Sequence, residues 1–462
     1  MAAIAADNTA DLSRVRQLEE AVASGEDVLN VIAQWREASS LPDPELADYA
    51  SEADCPLLLS ALIEVYGVDA NWAIEGASRL PYTLLCTAAE NGASKSVAVL
   101  LSHGASVNAT SLIEGVTFTP LYFAADSGHT AVCRQLLDAG ADPDVRCGKM
   151  QWTALHAAAS SERVGVVALL VQRGADTRAT ILKDLWTPSF FCLSGGTEEM
   201  LCLRVLLPRS DLEHVDSRGF AMLHHAAYDD RADVLEVLLP RYTAAGLVDI
   251  PIRAQERVPM LGATPLMVAC SHAKYKAAKL LLQAGASRHA RNFAGHTALH
   301  DCIQSSSLAC LQLLLGEAPN WHYTAQQLND SVEVNITPLG AALVVGNVSF
   351  CKLLLEAGSD PDDFANVARC IWPDKPELAA LFESSSAPLT PPCCANCQKS
   401  DVKLSACSRC QAVRYCSAAC HRAHWQHHKT ECVSCEDQSA RMKAALVEKI
   451  QLTKETPSDG DR

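Results

Sequence analysis

A segment that begins with threonine recurs along most of this chain and dictates its architecture. Thr-Pro-Leu or a relative of it starts each copy, and successive starts are 33 to 43 residues apart. The eight starting residues are Thr83, Thr119, Thr153, Thr187, Ala221, Thr264, Thr297 and Thr337. Each start precedes an alanine-rich stretch and then a leucine pair or triplet. A unit this short cannot bury its own apolar face, so neighbouring units must stack into one continuous core.

The ends of each copy carry residues that helix termini favour. The threonine can cap a first helix, and four copies place a proline at the first helical position: Pro120, Pro188, Pro265 and Pro338. In five copies a glycine stands 21 residues after the threonine, where a helix can end in the left-handed conformation. These glycines are Gly104, Gly140, Gly174, Gly285 and Gly358. The pattern resembles the ankyrin repeat, in about eight copies. The resemblance implies a mostly α-helical solenoid of helix pairs joined by β-finger loops.

Two residue types inside the repeats are predicted to be structural. His156, His224 and His300 occupy a Thr-x-Leu-His-like slot, where the ankyrin motif implies a hydrogen-bonding role and not a catalytic set. The scattered cysteines, such as Cys133, Cys202, Cys310 and Cys351, fall in second helices, where we expect buried small hydrophobes and not reactive thiols.

Three copies depart from the pattern. Pro208, Tyr242 and Ala318 stand where glycine is expected, which predicts distorted helix ends. The two longest connections follow Tyr242 and Ala318. We expect these insertions in the β-finger connections and not in the helices, and in a solenoid that face often varies with function.

An aromatic column stands directly before the starting residues of five consecutive copies. Its members are Tyr82, Phe118, Trp152, Trp186 and Phe220. In ankyrin repeats this position lies on the finger tips along the concave face. Exposed aromatics there would form a groove for an extended peptide or a helix of a partner. Packing of each ring against the neighbouring finger is an equally weighted alternative.

Near the carboxyl terminus, eight metal-ligand residues stand at short intervals: Cys394, Cys397, Cys407, Cys410, Cys416, Cys420, His428 and Cys432. Their number suffices for two tetrahedral Zn²⁺ ions. A segment this short cannot fold on apolar burial alone, and each structural zinc would contribute roughly 10–16 kcal/mol.

This segment resembles the MYND zinc finger, through Arg414-Tyr415-Cys416-Ser417 and the His424-Trp425 pair before His428 and Cys432. The resemblance implies interleaved sites, with Cys394, Cys397, Cys416 and Cys420 on one zinc and Cys407, Cys410, His428 and Cys432 on the other. The alternative is a RING finger, which would place its histidine after the third cysteine and end in a C-x2-C pair. In this chain the histidine is the seventh ligand and the last pair is His428-x3-Cys432, which favours the MYND finger.

MYND fingers typically bind proline-containing peptides of the PxLxP kind. Carried onto this sequence, the peptide pocket involves Ser408, His421 and Trp425. Because His421 stands where family members often have glutamine, the peptide preference of this finger stays open. Packing of the small domain is the alternative role for Trp425.

The predicted domains run in a simple order. Residues 1–80 form an N-terminal helical cap with a degenerate repeat, 81–366 about eight ankyrin repeats, and 367–383 a C-terminal cap. A proline- and serine-rich linker follows at 384–393, then the MYND finger at 394–432. Residues 433–462 are predicted to form a short helix and a disordered tail.

Composition excludes several classes of protein. The net charge is −16, and residues outside the zinc module carry all of the negative excess, which argues against nucleic acid as the main partner. No apolar run is long enough to span a bilayer, and no signal peptide is visible. Free cysteines with thiolate ligands fit a reducing compartment, which predicts a cytoplasmic or nuclear location.

The sequence therefore predicts a non-catalytic adaptor with zinc as its only cofactor. The ankyrin groove would bind one protein, and the MYND finger a proline-containing peptide of another. No P-loop, Rossmann or Gly-x-Ser-x-Gly motif is present, and no SET-like methyltransferase sequence. A nuclear transcriptional co-regulator is the alternative function, and the oligomeric state is unknown.

Overall fold

The protein is mostly α-helical in the computed structural model. The described residues are 43–74, 82–113, 116–253, 260–317, 320–321, 337–360, 368, 372, 375–385, 405–406 and 414–415. Two compact units divide the chain, Met1–Arg218 and Gly219–Arg462. Helix pairs and short finger hairpins make up both units, as expected for an ankyrin solenoid.

The first unit contains nine described α-helices. They are α1 (Asp43–Glu52), α2 (Pro56–Glu64), α3 (Leu84–Glu90), α4 (Ser94–Ser102), α5 (Pro120–Ser127), α6 (Thr130–Asp138), α7 (Ala154–Ser160), α8 (Val164–Gln172) and α9 (Thr197–Leu206). Two 3₁₀ segments, Pro188–Cys192 and Leu207–Arg209, flank α9. Its paired strands are β1 (Ala73–Ile74) with β2 (Tyr82–Thr83), and β3 (Ser111–Ile113) with β4 (Val116–Phe118), both antiparallel.

The second unit also contains nine described α-helices. They are α10 (Met222–Tyr228), α11 (Ala232–Ala245), α12 (Pro265–Ser271), α13 (Tyr275–Gln283), α14 (Ala298–Gln304), α15 (Leu308–Leu315), α16 (Pro338–Val345), α17 (Val348–Glu356) and α18 (Pro376–Ser385). Its antiparallel strand pairs are β5 (Gly316–Glu317) with β6 (Asn320–Trp321), and β7 (Ser405–Ala406) with β8 (Arg414–Tyr415).

The starting threonines cap the first helices, as predicted. The side-chain oxygen accepts a hydrogen bond from the backbone N–H three residues later, at 3.3 Å for Thr83, 3.2 Å for Thr119, 3.4 Å for Thr264 and 3.1 Å for Thr337. This bond satisfies one of the otherwise unpaired amides of the first helical turn. The repeating threonine is therefore a helix-start signal in these copies.

The histidine of the Thr-x-Leu-His-like slot caps the N-terminus of the first helix and connects that helix to the next repeat. His156 accepts a hydrogen bond at Nδ1 from the Thr153 amide (3.2 Å), while its Nε2 lies 3.3 Å from the Trp186 carbonyl oxygen. In the second unit, His224 Nδ1 accepts from the Ala221 amide (3.1 Å) and its Nε2 lies 3.2 Å from the Ala263 carbonyl oxygen. Both histidines are fully buried. The predicted structural role is confirmed for these two residues.

The five predicted glycines end their helices in the left-handed region. Their φ angles lie between +81° and +101°. In the first of them, the Ala105 amide bonds to the Leu100 carbonyl (2.9 Å) and the Gly104 amide to that of Leu101 (3.2 Å). This pair of bonds is a Schellman motif, which satisfies two carbonyls at the helix end.

The copies without this glycine behave in different ways. Pro208 lies in a 3₁₀ turn after α9, so that helix end is distorted as predicted. At Tyr242 the prediction is wrong, because α11 continues through it and ends at Gly246 with φ of +69°. Helix α11 has 14 residues whereas α4 has 9, so part of this insertion lengthens a helix and only the rest enters the finger. Ala318 lies outside the described residues.

The fingers of the first unit form a ladder along its edge. Successive fingers are joined by backbone hydrogen bonds from Gly148 to Thr117 (3.1 Å), from Leu182 to Met150 (3.1 Å) and from Ser217 to Asp184 (2.9 Å). Each bond connects a finger to its predecessor. The residues on the finger tips are therefore held in fixed order by the backbone and not by side-chain packing alone.

The ends of the described array are helical. Before the first full repeat, α2 contains the buried residues Leu58, Leu59 and Leu62, within the segment assigned to a degenerate repeat. In the second unit, α18 buries Leu378 and Phe382 and extends to Ser385, two residues into the predicted linker. The remaining domain boundaries stay predictions.

Two glycines allow the backbone cost and the steric cost of a side chain to be measured separately. Gly174 has φ of +90° with nothing within 4 Å of an added Cβ, whereas at Gly128 (φ +87°) that atom would lie 2.7 Å from Arg163 Cδ. We expect Gly174→Ala to lower the free energy of unfolding by about 1 kcal/mol, the cost of a left-handed alanine. Gly128→Ala should lower it further because the Arg163 side chain must also move. Urea unfolding followed by circular dichroism checks both values.

Gly165→Ala is the matched control for these variants. Gly165 lies inside α8 without a positive φ, and an added Cβ would lie 3.1 Å from Thr130 Oγ1. The gain of up to about 1 kcal/mol from helix propensity is therefore offset by the movement of that hydroxyl, and Gly165→Ala should destabilise the protein less than Gly174→Ala does. Wild-type stability in Gly174→Ala would contradict the assignment of the left-handed helix end.

Candidate functional site

The aromatic column divides into one buried residue and four partly exposed ones. Tyr82 is only 2% exposed, so its expected place on an open groove is wrong and the packing alternative holds for it. Phe118, Trp152, Trp186 and Phe220 are half-buried. Phe220, in the second unit, packs against His224 and His225, with ring centroids 5.7 and 5.8 Å apart. A binding role for these four residues stays a prediction.

Four rings of the first unit form what we call the tyrosine cluster: Tyr82, Phe118, Tyr122 and Phe123. Phe118 lies 5.1 Å from Tyr122 and 5.6 Å from Phe123 between ring centroids. Tyr82 lies 5.3 Å from Phe123. The finger residues Tyr82 and Phe118 therefore rest on rings of helix α5, and Phe118, Tyr122 and Phe123 remain half-buried.

A second group, the tryptophan cluster, contains Trp152, Trp186, Phe190 and Phe191. Phe191 lies 4.8 Å from Trp152 and 5.4 Å from Trp186, with both pairs near perpendicular. Trp186 also stacks on Phe190 at 6.2 Å. Edge-to-face pairs of this kind are favourable beyond the area that they bury, so the two tryptophans are held in place by the phenylalanine between them.

Sequence reasoning missed the helical members of both clusters. Tyr122, Phe123, Phe190 and Phe191 stand three and four residues after a starting threonine, in the first turn of the inner helix. The finger column alone therefore describes half of the aromatic surface. An alignment of the repeats on their starting residue would have revealed these aromatics. The position three residues after the start holds histidine in three other copies, whereas it holds Tyr122 and Phe190 in these two.

The finger that carries Trp186 exposes two leucines and has a strained backbone. Leu182 is 66% exposed and Leu185 is 40% exposed. Leu185 has φ of +58°, and Gln151, at the same position of the preceding finger, has φ of +59°. In three copies of the second unit this position is a glycine with positive φ: Gly219, Gly262 and Gly295. A left-handed leucine costs on the order of 1 kcal/mol, so these two fingers retain side chains where glycine would be more stable. Strain of this kind often accompanies function.

The two clusters have different electrostatic surroundings. Beside the tyrosine cluster, the Tyr82 hydroxyl donates to a carboxylate oxygen of Glu90. Burial, followed by the nearby Asp126 carboxylate, raises the pKa of Tyr122 well above its usual value. On the fingers beside the tryptophan cluster, Lys149 and Lys183 are exposed. The tyrosine cluster therefore has two carboxylates beside it, whereas the fingers beside the tryptophan cluster carry two lysines together with Asp184.

The described cysteines are buried, and none of them forms a disulfide bond. Burial raises the pKa of Cys86 to about 11 and that of Cys133 and Cys351 to about 12. A thiol with such a pKa remains protonated at neutral pH and is a poor nucleophile. Cys86, Cys133 and Cys351 therefore pack as small hydrophobes, as predicted. Cys202 and Cys310 are buried as well, but a hydrogen bond with Cys192 lowers the pKa of Cys202, and hydrogen bonds with Cys270 and Cys302 lower the pKa of Cys310.

The eight predicted zinc ligands lie outside the described residues, as do Ser408, His421 and Trp425. Within the described part of the chain no group of three or more His, Cys, Asp or Glu residues could hold a metal ion. Strands β7 and β8 pair in antiparallel register, with Ser405 opposite Tyr415 and Ala406 opposite Arg414. Cys407 directly follows the first strand and Cys416 the second, and a donor set of seven thiols and one imidazole suits Zn²⁺.

Helix pairs, left-handed glycine ends, finger hairpins and a terminal thiol-rich segment define a repeat solenoid with a small zinc-binding module. Family models agree with this class. The model for ankyrin repeats matches residues 46–147, 110–181 and 244–327, and that for the MYND finger matches residues 394–432. The chain is an ankyrin-repeat protein with a C-terminal MYND-type zinc finger.

Similar proteins of curated function share a limited stretch of this chain. "Protein fem-1 homolog A-like" of Mus musculus is 38% identical over 95 residues, which is 21% of this chain and 13% of that protein. "Protein fem-1 homolog A" of Homo sapiens is 33% identical over 116 residues, 25% of this chain and 16% of that protein. The chain thus spans no more than 16% of these relatives. Among the described helices, none has the length and apolar character needed to cross a bilayer.

The buried histidine beneath Trp152 predicts a pH-dependent stability. Burial lowers the pKa of His156 to about 4, below the unfolded value of about 6.5. The unfolded chain then binds the extra proton, so this contribution is complete above pH 6.5 and is lost as the pH falls towards 4. We expect the wild type to lose about 2 kcal/mol through His156 between pH 7 and pH 5. Urea unfolding of wild type and His156→Gln at both pH values measures the difference.

His103→Gln provides a control of opposite sign. The Val99 carbonyl and the Glu64 carboxylate raise the pKa of the half-buried His103, so its contribution to stability is present at low pH and is lost as the pH rises. In His103→Gln, the free energy of unfolding should therefore fall slightly more between pH 7 and pH 5 than it does in the wild type. An equal pH slope in wild type and His156→Gln would show that His156 is not held neutral.

Proposed function

We propose that this protein is a non-catalytic adaptor that connects two partner proteins. The first unit of the ankyrin array binds one of them through the tryptophan cluster and the adjoining finger tips. The MYND finger binds a proline-containing peptide of the other. The observation that carries the proposal is the presence of a half-exposed aromatic surface on one interaction module of a chain that ends in a second interaction module.

The composition of the tryptophan cluster favours protein binding over packing alone. Tryptophan and leucine side chains that remain partly exposed and adjacent can be buried by a partner, and aromatic residues dominate binding energy at interfaces. Trp186, Leu182 and Leu185 belong to one finger whose tip faces water. The backbone bonds between fingers hold the rings in place before binding, which reduces the entropic cost of association.

The zinc module supplies the second binding site. Two Zn²⁺ ions would be held by Cys394, Cys397, Cys416 and Cys420, and by Cys407, Cys410, His428 and Cys432. Their role is structural, since they replace the core that so short a segment lacks. Trp425, with Ser408 and His421 beside it, would contact the peptide. Because both sites are filled by protein ligands, neither leaves a position for a catalytic water.

Removal of either binding surface should release a different partner. We expect Trp152→Ala/Trp186→Ala to lose the proteins held by the ankyrin array, while Trp425→Ala loses those held by the zinc finger. Affinity capture of each full-length variant with quantitative mass spectrometry measures the two sets. Loss of a packed aromatic contact costs about 2 kcal/mol or more at an interface centre, enough for a thirtyfold weaker complex.

Phe293→Ala is the matched control, because Phe293 is a finger aromatic that is 73% exposed and belongs to neither cluster. It should retain every partner. The adaptor model fails if both tryptophan variants retain all partners, or if one of them loses both sets while remaining folded by circular dichroism.

Zinc content provides a separate test of the finger. Native mass spectrometry should find two zinc ions per chain, and Cys394→Ser or Cys407→Ser should lower that number. Cys435→Ser, a cysteine outside the ligand pattern, should leave two. Chelation should unfold residues 394–432 without changing the urea unfolding of the ankyrin array, because the two modules are stabilised by different forces. A finger that resists proteolysis after chelation would contradict the structural role of zinc.

A further inference from the structure

We propose that the tyrosine cluster is a second part of the ankyrin binding surface, and that it receives an arginine or lysine side chain of the bound peptide. The proposal rests on the proposed function of the first unit, and it specifies the chemistry of that partner. Three features of the described residues support it: the rings, the carboxylates beside them, and the lack of an ion pair between those carboxylates and any described cation.

The rings provide an open aromatic surface. Phe118, Tyr122 and Phe123 are half-buried and lie within 5.1 to 6.0 Å of one another between centroids. Tyr82 packs behind Phe123 and supports it. A cation placed over the face of such rings is attracted by their quadrupoles, and arginine also stacks on them.

Two carboxylates lie on the same side of α3 and α5, the first helices of two neighbouring repeats. Glu90 stands seven residues after Thr83, and Asp126 stands seven residues after Thr119. They occupy equivalent positions on α3 and α5, which pack against each other. Asp126 follows Tyr122 by four residues and Phe123 by three, so it shares their face of the helix. The Tyr82 hydroxyl donates to Glu90 and thereby directs that carboxylate towards the rings.

Neither carboxylate has an ion-pair partner in the described part of the chain. Asp126 accepts a hydrogen bond from the Ser161 hydroxyl at 2.6 Å. The Arg163 guanidinium donates from Nε to the main-chain carbonyl of Asp126 at 3.0 Å and forms no ion pair with its carboxylate. His129 likewise contacts the Glu90 carbonyl. Two negative charges beside exposed rings therefore remain available, and an incoming cation would complement both.

The difference in charge between the two clusters defines the direction of the peptide. The following two fingers carry Lys149 and the neighbouring pair Lys183 and Asp184, so the negative charge that attracts a cation lies beside α3 and α5 and not beside Trp152 and Trp186. An extended peptide would thus place its arginine or lysine at the tyrosine cluster and an apolar residue at the tryptophan cluster. Such a difference along one surface also excludes the reversed orientation of the same peptide.

The experiment compares two pools of fluorescein-labelled short peptides with randomised flanks, identical except for a central arginine or its neutral analogue citrulline. Fluorescence polarisation with the full-length protein should show about tenfold tighter binding of the arginine pool. The variant Glu90→Gln/Asp126→Asn should bind both pools equally. Each amide can still accept the bond from Tyr82 or Ser161, so the fold should be unchanged by circular dichroism. Phe123→Leu should reduce the preference for arginine by part of this factor.

Asp138→Asn is the matched control, because Asp138 belongs to the second helix of the same repeat and pairs with Arg173 at 2.7 Å. It should keep the full preference. The proposal is overturned if wild type binds the pools equally or binds neither, if the preference survives in Glu90→Gln/Asp126→Asn, or if Asp138→Asn also abolishes it. Failure here leaves the adaptor proposal separately testable, since the tryptophan variants are measured by partner loss and not by peptide charge.

Discussion

The stability of the ankyrin array depends on hydrogen bonds that each repeat makes to the next one. A single helix pair has an apolar face that it cannot bury alone, and stacking would leave the buried polar groups between repeats without partners. His156 resolves this conflict by capping its own helix and contacting the carbonyl of Trp186 in the following finger. His224 repeats the arrangement with Ala263. The histidine that caps the N-terminus of its own helix therefore also fixes the position of the next finger. The finger tips are held in order as a result.

The position of the proposed binding surface is consistent with this arrangement. Helix caps, left-handed turns and buried leucines recur in most copies, which leaves the finger tips and the exposed face of the first helix of each repeat free to vary. Leu185 and Gln151 depart from the local rule by adopting positive φ without being glycine. Both stand directly before a tryptophan of the same cluster. Backbone strain, exposed leucines and clustered rings thus coincide on two neighbouring fingers, and the scaffold that carries them is otherwise regular.

Sequence alone predicted the features that depend on local chemistry. Threonine caps, glycine helix ends, buried cysteines and the histidine slot each follow from short-range preferences that repeat in the chain. The extension of α11 through Tyr242 was not predictable from the missing glycine, because Gly246 ends the helix equally well one turn later. Burial of Tyr82 was missed for another reason. Its exposure depends on Phe123, a residue of the next repeat that no local pattern connects to it.

Two separate sources of stability have a functional consequence for this chain. The ankyrin array is stabilised by apolar stacking and backbone bonds between neighbours, whereas the MYND finger depends on metal coordination because its segment is too short for a core. Loss of zinc should therefore unfold the finger while the ankyrin array stays folded. In the ankyrin array a local defect is transmitted to adjacent repeats, since each histidine and finger bond crosses a repeat boundary. In the proposed adaptor, the zinc finger could therefore unfold independently of the ankyrin array, whereas an ankyrin binding surface would require consecutive repeats to remain stacked.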